Sequence, residues 1–279
     1  MDYQLRVNLY VGRNIPPADE TGTSDPFVLV RSYGQVTQSS ICYTTINPGW
    51  YETLTLNVSL PEFKEDGVPS GMSLVVYDDD DGKRDLIGRS WVEFKPYFHY
   101  FKLTTGEHMG DIFEIIFGKP KWLNILYDAT GDICGKILAG YALIKAEDAD
   151  KIPIENLYPD CFKETLHLFC IGLRDIDTDN LKAKIASVAF DISGDDYDPI
   201  QTSKQKIAEC GININKYLSI KIDIPRNRQL CTIIDIFVYE HSHSGEQKLL
   251  GVGTIEMSEF IDKYIFEVAK QANPNILTV

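Results

Sequence analysis

The sequence lacks several patterns that would assign it to a common functional class. Its six cysteines show no Cys-x-x-Cys spacing, which argues against a zinc ribbon or a thioredoxin-like motif and favours reduced thiols in a cytosolic setting. No stretch reaches the roughly 18 apolar residues of a membrane span, and the N-terminal segment alternates apolar and polar residues instead of forming a leader. We therefore expect a soluble, unprocessed and cytoplasmic chain.

Positive charge is also scarce. Lysine and arginine total 27 against 41 aspartates and glutamates, which gives a formal net charge of −14. Because nucleic-acid binding requires a basic face that neutralises phosphates, this composition argues against a nucleic-acid partner. An anionic partner would need a cation to mediate its binding.

Catalytic motifs are missing as well. The sequence contains no Gly-x-Ser-x-Gly, no His-Glu-x-x-His, and no Gly-x-Gly-x-x-Gly after a predicted strand. The stretch GDICGK (131–136) has three residues between its glycines instead of the four of a phosphate loop, and Ile137, which follows its lysine, cannot bind magnesium. We interpret it as a hairpin turn and expect no enzymatic activity.

Short strand-like segments are abundant. Leu5, Val7 and Leu9 alternate with polar residues, which is the period of a half-buried strand. Eight such segments, separated by Gly, Pro, Asn or Asp, predict one antiparallel β-sandwich over residues 1–147. The segments are 5–11, 26–34, 37–44, 50–60, 72–78, 86–94, 121–128 and 136–144.

A second series of strands follows a charged, proline-containing linker at 148–163. Roughly six strands are predicted in 164–279 before a terminal helix, whose apolar face would carry Phe260, Ile261, Tyr264, Ile265 and Val268. The fold class is therefore all-β, with two antiparallel sandwiches, the second lacking its last two strands. Its first strand would then have an open edge, and we expect this edge to be covered by residues missing from this chain, by a protein partner or by the terminal helix.

The stretch DDDDGKRD (78–85) allows three interpretations: a solvated acidic turn, an EF-hand loop, or half of a cation site. The EF-hand register fails, because placing Gly82 at the sixth position puts Tyr77 at the first ligand position and Gly88 at the twelfth. The third interpretation requires a second acidic loop.

The loop PPADETGTSDPF (16–27) supplies that second loop. Both loops follow strands that run in one direction, so their tips should meet at one edge of the sandwich. Residues 19–25 and 78–85 contain eight acids and two bases, a net charge of −6. Because calcium favours six to eight flexible oxygen ligands, the pattern predicts a calcium site. The acids expected there are Asp19, Asp25, Asp78, Asp80 and Asp85.

These motifs, together with the turn NPGWYE (47–52), resemble C2 domains. The resemblance implies a C2 sandwich of the second topology type and places the five aspartates on the family's calcium-ligand positions. The spacing from Asp78 to Asp85 is one residue shorter than in the commonest form of that loop. Asp81 is therefore an alternative to Asp85.

A narrower resemblance is to ferlins. It rests on KIPIENLYPDCFKETLHLFCIGLRDI, PKWLNILYDATGDICGKILAGYALI and KLLGVGTIEMSEF, which together cover much of the chain. It implies calcium-dependent binding to anionic phospholipid membranes in vesicle fusion, exocytosis, trafficking or membrane repair. The chain would lie peripherally at membranes or vesicles, and a parent protein could be tail-anchored. The alternative is a calcium-independent protein-interaction scaffold.

The loop flanks favour docking on the membrane surface, because the candidate membrane-binding residues Thr21, Thr23, Lys83 and Arg84 are polar. The second sandwich lacks the aspartate pattern, so we do not expect it to bind calcium. Its His241 and His243 have no third ligand in view, which favours a solvated loop over a metal site. The tryptophans (Trp50, Trp91 and Trp122) are predicted to be core residues.

Overall fold

The computed structural model describes residues 1–60, 71–80, 82–95, 98–104, 106–179, 181–192, 199–208 and 211–260. The chain divides into two compact units. The first comprises Met1–Ala18 and Ser24–Tyr158, and the second comprises Pro159–Thr278 together with the short segment Asp19–Thr23. The short segment between Ala18 and Ser24 is the tip of a loop whose two ends lie in the first unit. The predicted all-β class is confirmed by the strands of both units.

The first unit is an antiparallel sandwich. Its strands are β1 (Asp2–Arg13), β2 (Pro26–Ser32), β3 (Gln35–Gln38), β4 (Gly49–Ser59), β5 (Gly71–Asp80), β6 (Lys83–Glu93), β7 (Phe98–Lys102), β8 (Ile112–Leu126) and β9 (Ile133–Lys145). One layer has the order β4-β1-β9-β8 and the other β3-β2-β5-β6, while β7 pairs with β8. The layers are linked through one bridge between β6 and β8, Arg89 with Leu126.

The core of the first unit lies between these layers. Leu5, Val7 and Leu9 on β1 are fully buried and pack with the inward residues of β2 and β5. This is the result expected from their period-two spacing, since alternate side chains of a strand share a face. The predicted strand at 37–44 is mostly wrong, because β3 ends at Gln38 and Ser39 turns inward to accept a hydrogen bond from Val28 N.

The tryptophan prediction is correct for Trp50, which is buried, and wrong for Trp91, which is 60% exposed. Trp91 lies between the inward-facing Ser90 and Val92 on β6, so the alternation of the strand turns its ring outward. The ring lies close to Gly71, where a Cβ atom would come within 2.5 Å of it. Trp122 is only partly buried.

A 3₁₀ helix at Ala146–Lys151 follows β9. Arg6, which is buried on β1, holds this segment with its guanidinium group. Its Nη2 donates to the carbonyls of Ala149 (2.7 Å) and Ile152 (2.8 Å), and its Nη1 donates to that of Pro153 (3.0 Å). Burial lowers the pKa of Arg6. The first part of the segment predicted as a linker is therefore fastened to the first sheet.

The second unit repeats part of this order. Its strands are β10 (Cys161–Leu173), β11 (Ile185–Ile192), β12 (Ile200–Gln201), β13 (Gln205–Lys206), β14 (Ile212–Pro225), β15 (Ile233–His241) and β16 (Gln247–Glu256). The pairs β10·β14, β11·β15 and β15·β16 correspond to β1·β4, β2·β5 and β5·β6 of the first unit. Strands equivalent to β8 and β9 do not occur among its described residues.

The strand β10 therefore pairs only with β14 within the described part of the chain. Its inward residues Leu166 and Leu168 are only partly buried, whereas the equivalent residues of β1 are fully buried. A helix begins at Met257 and is described as far as Phe260. The remaining residues of the predicted terminal helix, including Ile261, Tyr264, Ile265 and Val268, lie outside the described residues.

Candidate functional site

The two acidic loops lie at the same edge of the first unit, as predicted. Pro26, at the start of β2, pairs with Asp78 near the end of β5, and Asp78 in turn pairs with Asp85 on β6. The β1–β2 loop and the β5–β6 turn are therefore adjacent. The strand ladder fixes this arrangement, because both neighbours of β5 run antiparallel to it.

Three carboxylates from these loops form a cluster. Asp19, Asp78 and Asp80 each offer one oxygen, and these oxygens all lie within 4.8 Å of one another. Asp78 and Asp80 are two residues apart on β5, so they share a face of the strand. Asp78 is buried, Asp19 partly buried and Asp80 exposed, and the cluster therefore extends from the protein interior to solvent.

Asp25 lies next to the cluster and contacts it through its backbone. Its N–H donates to Oδ1 of Asp78 over 2.6 Å, and its own Oδ1 accepts from the backbone N–H of Thr44 over 2.7 Å. One carboxylate oxygen of Asp25 therefore orders the loop between β3 and β4. The structure places Asp25 beside the three clustered acids without including it in that group.

Asp85 and Asp81 were the alternatives for the last ligand. Asp85 is opposite Asp78 in the strand ladder, but its carboxylate is exposed and forms an ion pair with Lys83 at 3.2 Å. Asp81 lies outside the described residues. The choice between them stays a prediction.

The four residues predicted to contact a membrane differ in exposure. Thr21 and Lys83 are exposed, whereas Thr23 is buried with its hydroxyl 3.0 Å from that of Thr21. Arg84 is exposed, but its guanidinium group lies 5.1 Å from the centre of the Phe27 ring and donates to Gln38.

Sequence reasoning did not single out Ser24, which is fully buried at the base of the first loop. Its Oγ accepts a hydrogen bond from Ala18 N over 2.8 Å and donates to the carbonyl of Pro16 over 2.9 Å. Ser24 thereby closes the neck of the loop that carries Asp19. The Ser-Asp-Pro-Phe sequence at 24–27 was the available signal, since serine commonly bonds nearby backbone groups in turns.

The equivalent edge of the second unit has different chemistry. Glu240 accepts a hydrogen bond from Ala183 N, and Nε2 of the buried His241 lies 2.7 Å from Oγ of Ser187. Burial lowers the pKa of His241. The described part of this unit contains no group of three metal-ligating side chains like that of the first unit.

The fold and the acidic edge define the class of the first unit. Residues 3–112 match the family model of the C2 domain, so the chain contains a C2 domain. The chain as a whole is similar to ferlins. It is 23% identical to myoferlin of Xenopus tropicalis over 92% of its own length and 14% of that protein.

Other similarities differ in how much of the chain they cover. The chain is 32% identical to the protein C2-DOMAIN ABA-RELATED 5 of Arabidopsis thaliana, over 39% of this chain and 48% of that protein. A solved structure of two C2 domains of Extended-Synaptotagmin 2 aligns over 95% of this chain and 82% of its own, with 14% identity and a TM-score of 0.37. The chain spans less than half the length of the two curated relatives, myoferlin and C2-DOMAIN ABA-RELATED 5. Among its described residues, no helix has the length and apolarity needed to cross a membrane.

Proposed function

We propose that the first unit binds calcium at its acidic edge and thereby attaches the chain peripherally to anionic phospholipid membranes. The observation that carries this proposal is the convergence of Asp19, Asp78 and Asp80 within 4.8 Å. Asp25 and either Asp85 or Asp81 would complete the site. Vesicle fusion, exocytosis and membrane repair are the processes implied by the resemblance to ferlins.

The donor set fits calcium better than zinc. It consists of carboxylate oxygens from two loops, and the described group contains no histidine or cysteine, the ligands preferred by zinc. Burial of Asp78 beside two further acids is electrostatically unfavourable without a compensating positive charge. A divalent cation would provide that charge.

The residues of this edge suggest an electrostatic mechanism. Without a cation, the net charge of −6 on the two loops repels an anionic leaflet. Bound calcium would cancel part of this charge and offer coordination positions to headgroup oxygens. Thr21 and Lys83 are polar and exposed, so they favour docking on the headgroups over insertion into the acyl chains.

Membrane association is expected to require both calcium and anionic lipid. Raising the salt concentration from about 0.1 M to about 1 M shortens the Debye length from about 10 Å to about 3 Å. We therefore expect sedimentation with phosphatidylserine vesicles to fall strongly across this range. Sedimentation of the full chain should be measured with calcium and with EDTA.

Phosphatidylcholine vesicles provide the control for lipid charge. Equal sedimentation with these neutral vesicles, in EDTA and at high salt, would show that apolar insertion rather than charge attaches the chain. If the chain binds calcium in solution but does not sediment with the vesicles, the site binds calcium without attaching the chain to membranes.

The second unit supports a different activity, calcium-independent protein interaction. The half-buried inward face of β10 distinguishes it from β1, whose edge is paired with β9. An added strand would satisfy the backbone groups of β10 and cover Leu166 and Leu168. We therefore propose that a strand from a protein partner pairs with β10.

Hydrogen exchange can test this pairing. Alternate amides of β10 point away from β14, and we expect them to be protected from exchange when the edge is paired. If a second copy of the chain supplies the strand, protection should increase with protein concentration together with the mass measured by light scattering. A monomer in which these amides exchange rapidly at every concentration would show that β10 needs no partner.

A further inference from the structure

A cavity of about 330 Å³ opens in the first unit where β6 and β8 separate. The two strands are bridged at Arg89 and Leu126, whereas β8 follows β9 along most of its length. The C-terminal half of β6 therefore diverges from β8 and leaves space between them. A volume of this size is at the lower end of the range of about 300–1,000 Å³ that is typical of small-molecule sites.

A β-bulge forms one wall of the cavity. The register of β8 against β9 shifts between Gly118 and Lys121. The ring of Tyr141 lies against Gly118, where a Cβ atom would come within 2.1 Å of it. The hydroxyl group of Tyr141 accepts a hydrogen bond from Lys95 N over 3.0 Å. Glycine at this position therefore allows Tyr141 to fill the base of the bulge and to hold Lys95 at the rim.

The interior of the cavity is apolar and its rim is cationic. Met72, Val92, Leu123 and Ala139 are buried residues that line it. The ionisable residues that line it are all exposed at the rim. They are Lys95, Lys119, Lys121, His99 and Glu93. Three lysines against one glutamate give a local positive charge in a chain whose net charge is −14.

We propose that this cavity binds a single-chain anionic amphiphile, with its phosphate or carboxylate group at the lysines and its first methylene groups in the apolar interior. Charge complementarity favours an anion over a neutral ligand. The buried apolar residues favour an alkyl chain over a fully hydrophilic anion. The cationic rim accounts for the anionic group and the apolar interior for the alkyl chain. Together they match an amphiphile.

The cavity is separate from the calcium site. Met72, which lines the cavity, precedes Asp78 by six residues on β5, and a strand of this length spans about 20 Å. Binding of the amphiphile should therefore not require calcium. This independence allows the two proposals to fail separately.

Calorimetric titration of the full chain in EDTA tests the proposal, with hexyl, octyl and decyl phosphate below their micellar concentrations as probes. One molecule should bind per chain, and affinity should rise about fourfold for each methylene that enters the cavity. Inorganic phosphate and decyl maltoside should bind at least tenfold more weakly. Equal binding of either control, or no binding of decyl phosphate, would overturn the proposal.

Two exposed lysines provide a variant that should fold normally. The double substitution Lys119→Gln/Lys121→Gln should weaken decyl phosphate binding about tenfold, whereas Lys216→Gln/Lys221→Gln, which changes two exposed lysines on β14, should leave it unchanged. Photo-crosslinking of an alkyl phosphate should also label residues 117–123 or 139–141. Equal affinity in the two variants, or labelling confined to other segments, would show that the cavity is not the binding site.

Discussion

Replacing both Asp78 and Asp80 by asparagine should abolish calcium binding. These substitutions remove two of the three clustered carboxylates and leave Asp19 as the remaining member. Asparagine retains a carbonyl oxygen that can accept the hydrogen bond from Asp25 N, so the fold of the loop should be preserved. Isothermal titration of the full chain with calcium should give saturable binding for the unchanged protein and none for the double variant.

Asp79 provides a matched control for this experiment. It lies between the two substituted residues, but the alternation of β5 turns its side chain to the opposite face. Asp79→Asn removes the same formal charge per site and should lower calcium affinity only slightly. If the double variant binds calcium as well as Asp79→Asn does, the ligand assignment is incorrect.

Arg6→Met should destabilise the first unit by about 2–4 kcal/mol. The substitution removes donors from the carbonyls of Ala149, Ile152 and Pro153 while nearly preserving the volume of the side chain. Hydrogen bonds from a charged donor contribute more than neutral ones, and carbonyls that stay buried without a donor carry a desolvation cost. Urea unfolding can be followed by tryptophan fluorescence, since all three tryptophans precede residue 159 and so report on this unit.

The same substitution at Arg89 provides a control. Arg89 forms an exposed ion pair with Asp128, and exposed pairs contribute at most about 1 kcal/mol. Arg89→Met should therefore shift the urea midpoint much less than Arg6→Met. Equal shifts would mean that the contacts of Arg6 with the 3₁₀ segment do not contribute to stability.

The sequence predicted much of the fold because alternation is a local property. Leu5, Val7 and Leu9 identify β1 and its inward face without knowledge of any partner strand. Trp91 was misassigned because hydrophobicity suggested burial, whereas its position between Ser90 and Val92 on β6 decides its orientation. The strand β7 was missed because its pairing with β8 depends on contacts between segments distant from its own local pattern.

Part of the candidate site, like part of the fold, was predictable from the sequence. The sequence placed Asp78 and Asp80 in one acidic loop, and the two loops were correctly expected at one edge. The predicted strand ended at residue 78, whereas β5 continues to Asp80. The sequence could not show that Asp25 would direct a carboxylate oxygen to Thr44 N, because that contact depends on the folded path of the β3–β4 loop. The cavity beside β8 was also not predictable, since it depends on how far β6 and β8 diverge.

The strand position of Asp78 and Asp80 also has a consequence for affinity. β5 pairs with strands on both sides, so the entropy of ordering these two ligands is lost during folding and not during ion binding. Asp19 lies in a loop held by hydrogen bonds between Asp19 N and Thr23 O and between Gly22 N and Asp19 O. The remaining entropic cost of ion binding is the cost of ordering Asp19, and it depends on how well these hydrogen bonds order the loop beforehand. Substitutions that tune calcium affinity while keeping the proposed ligands should therefore accumulate in residues 19–23 rather than in the strand.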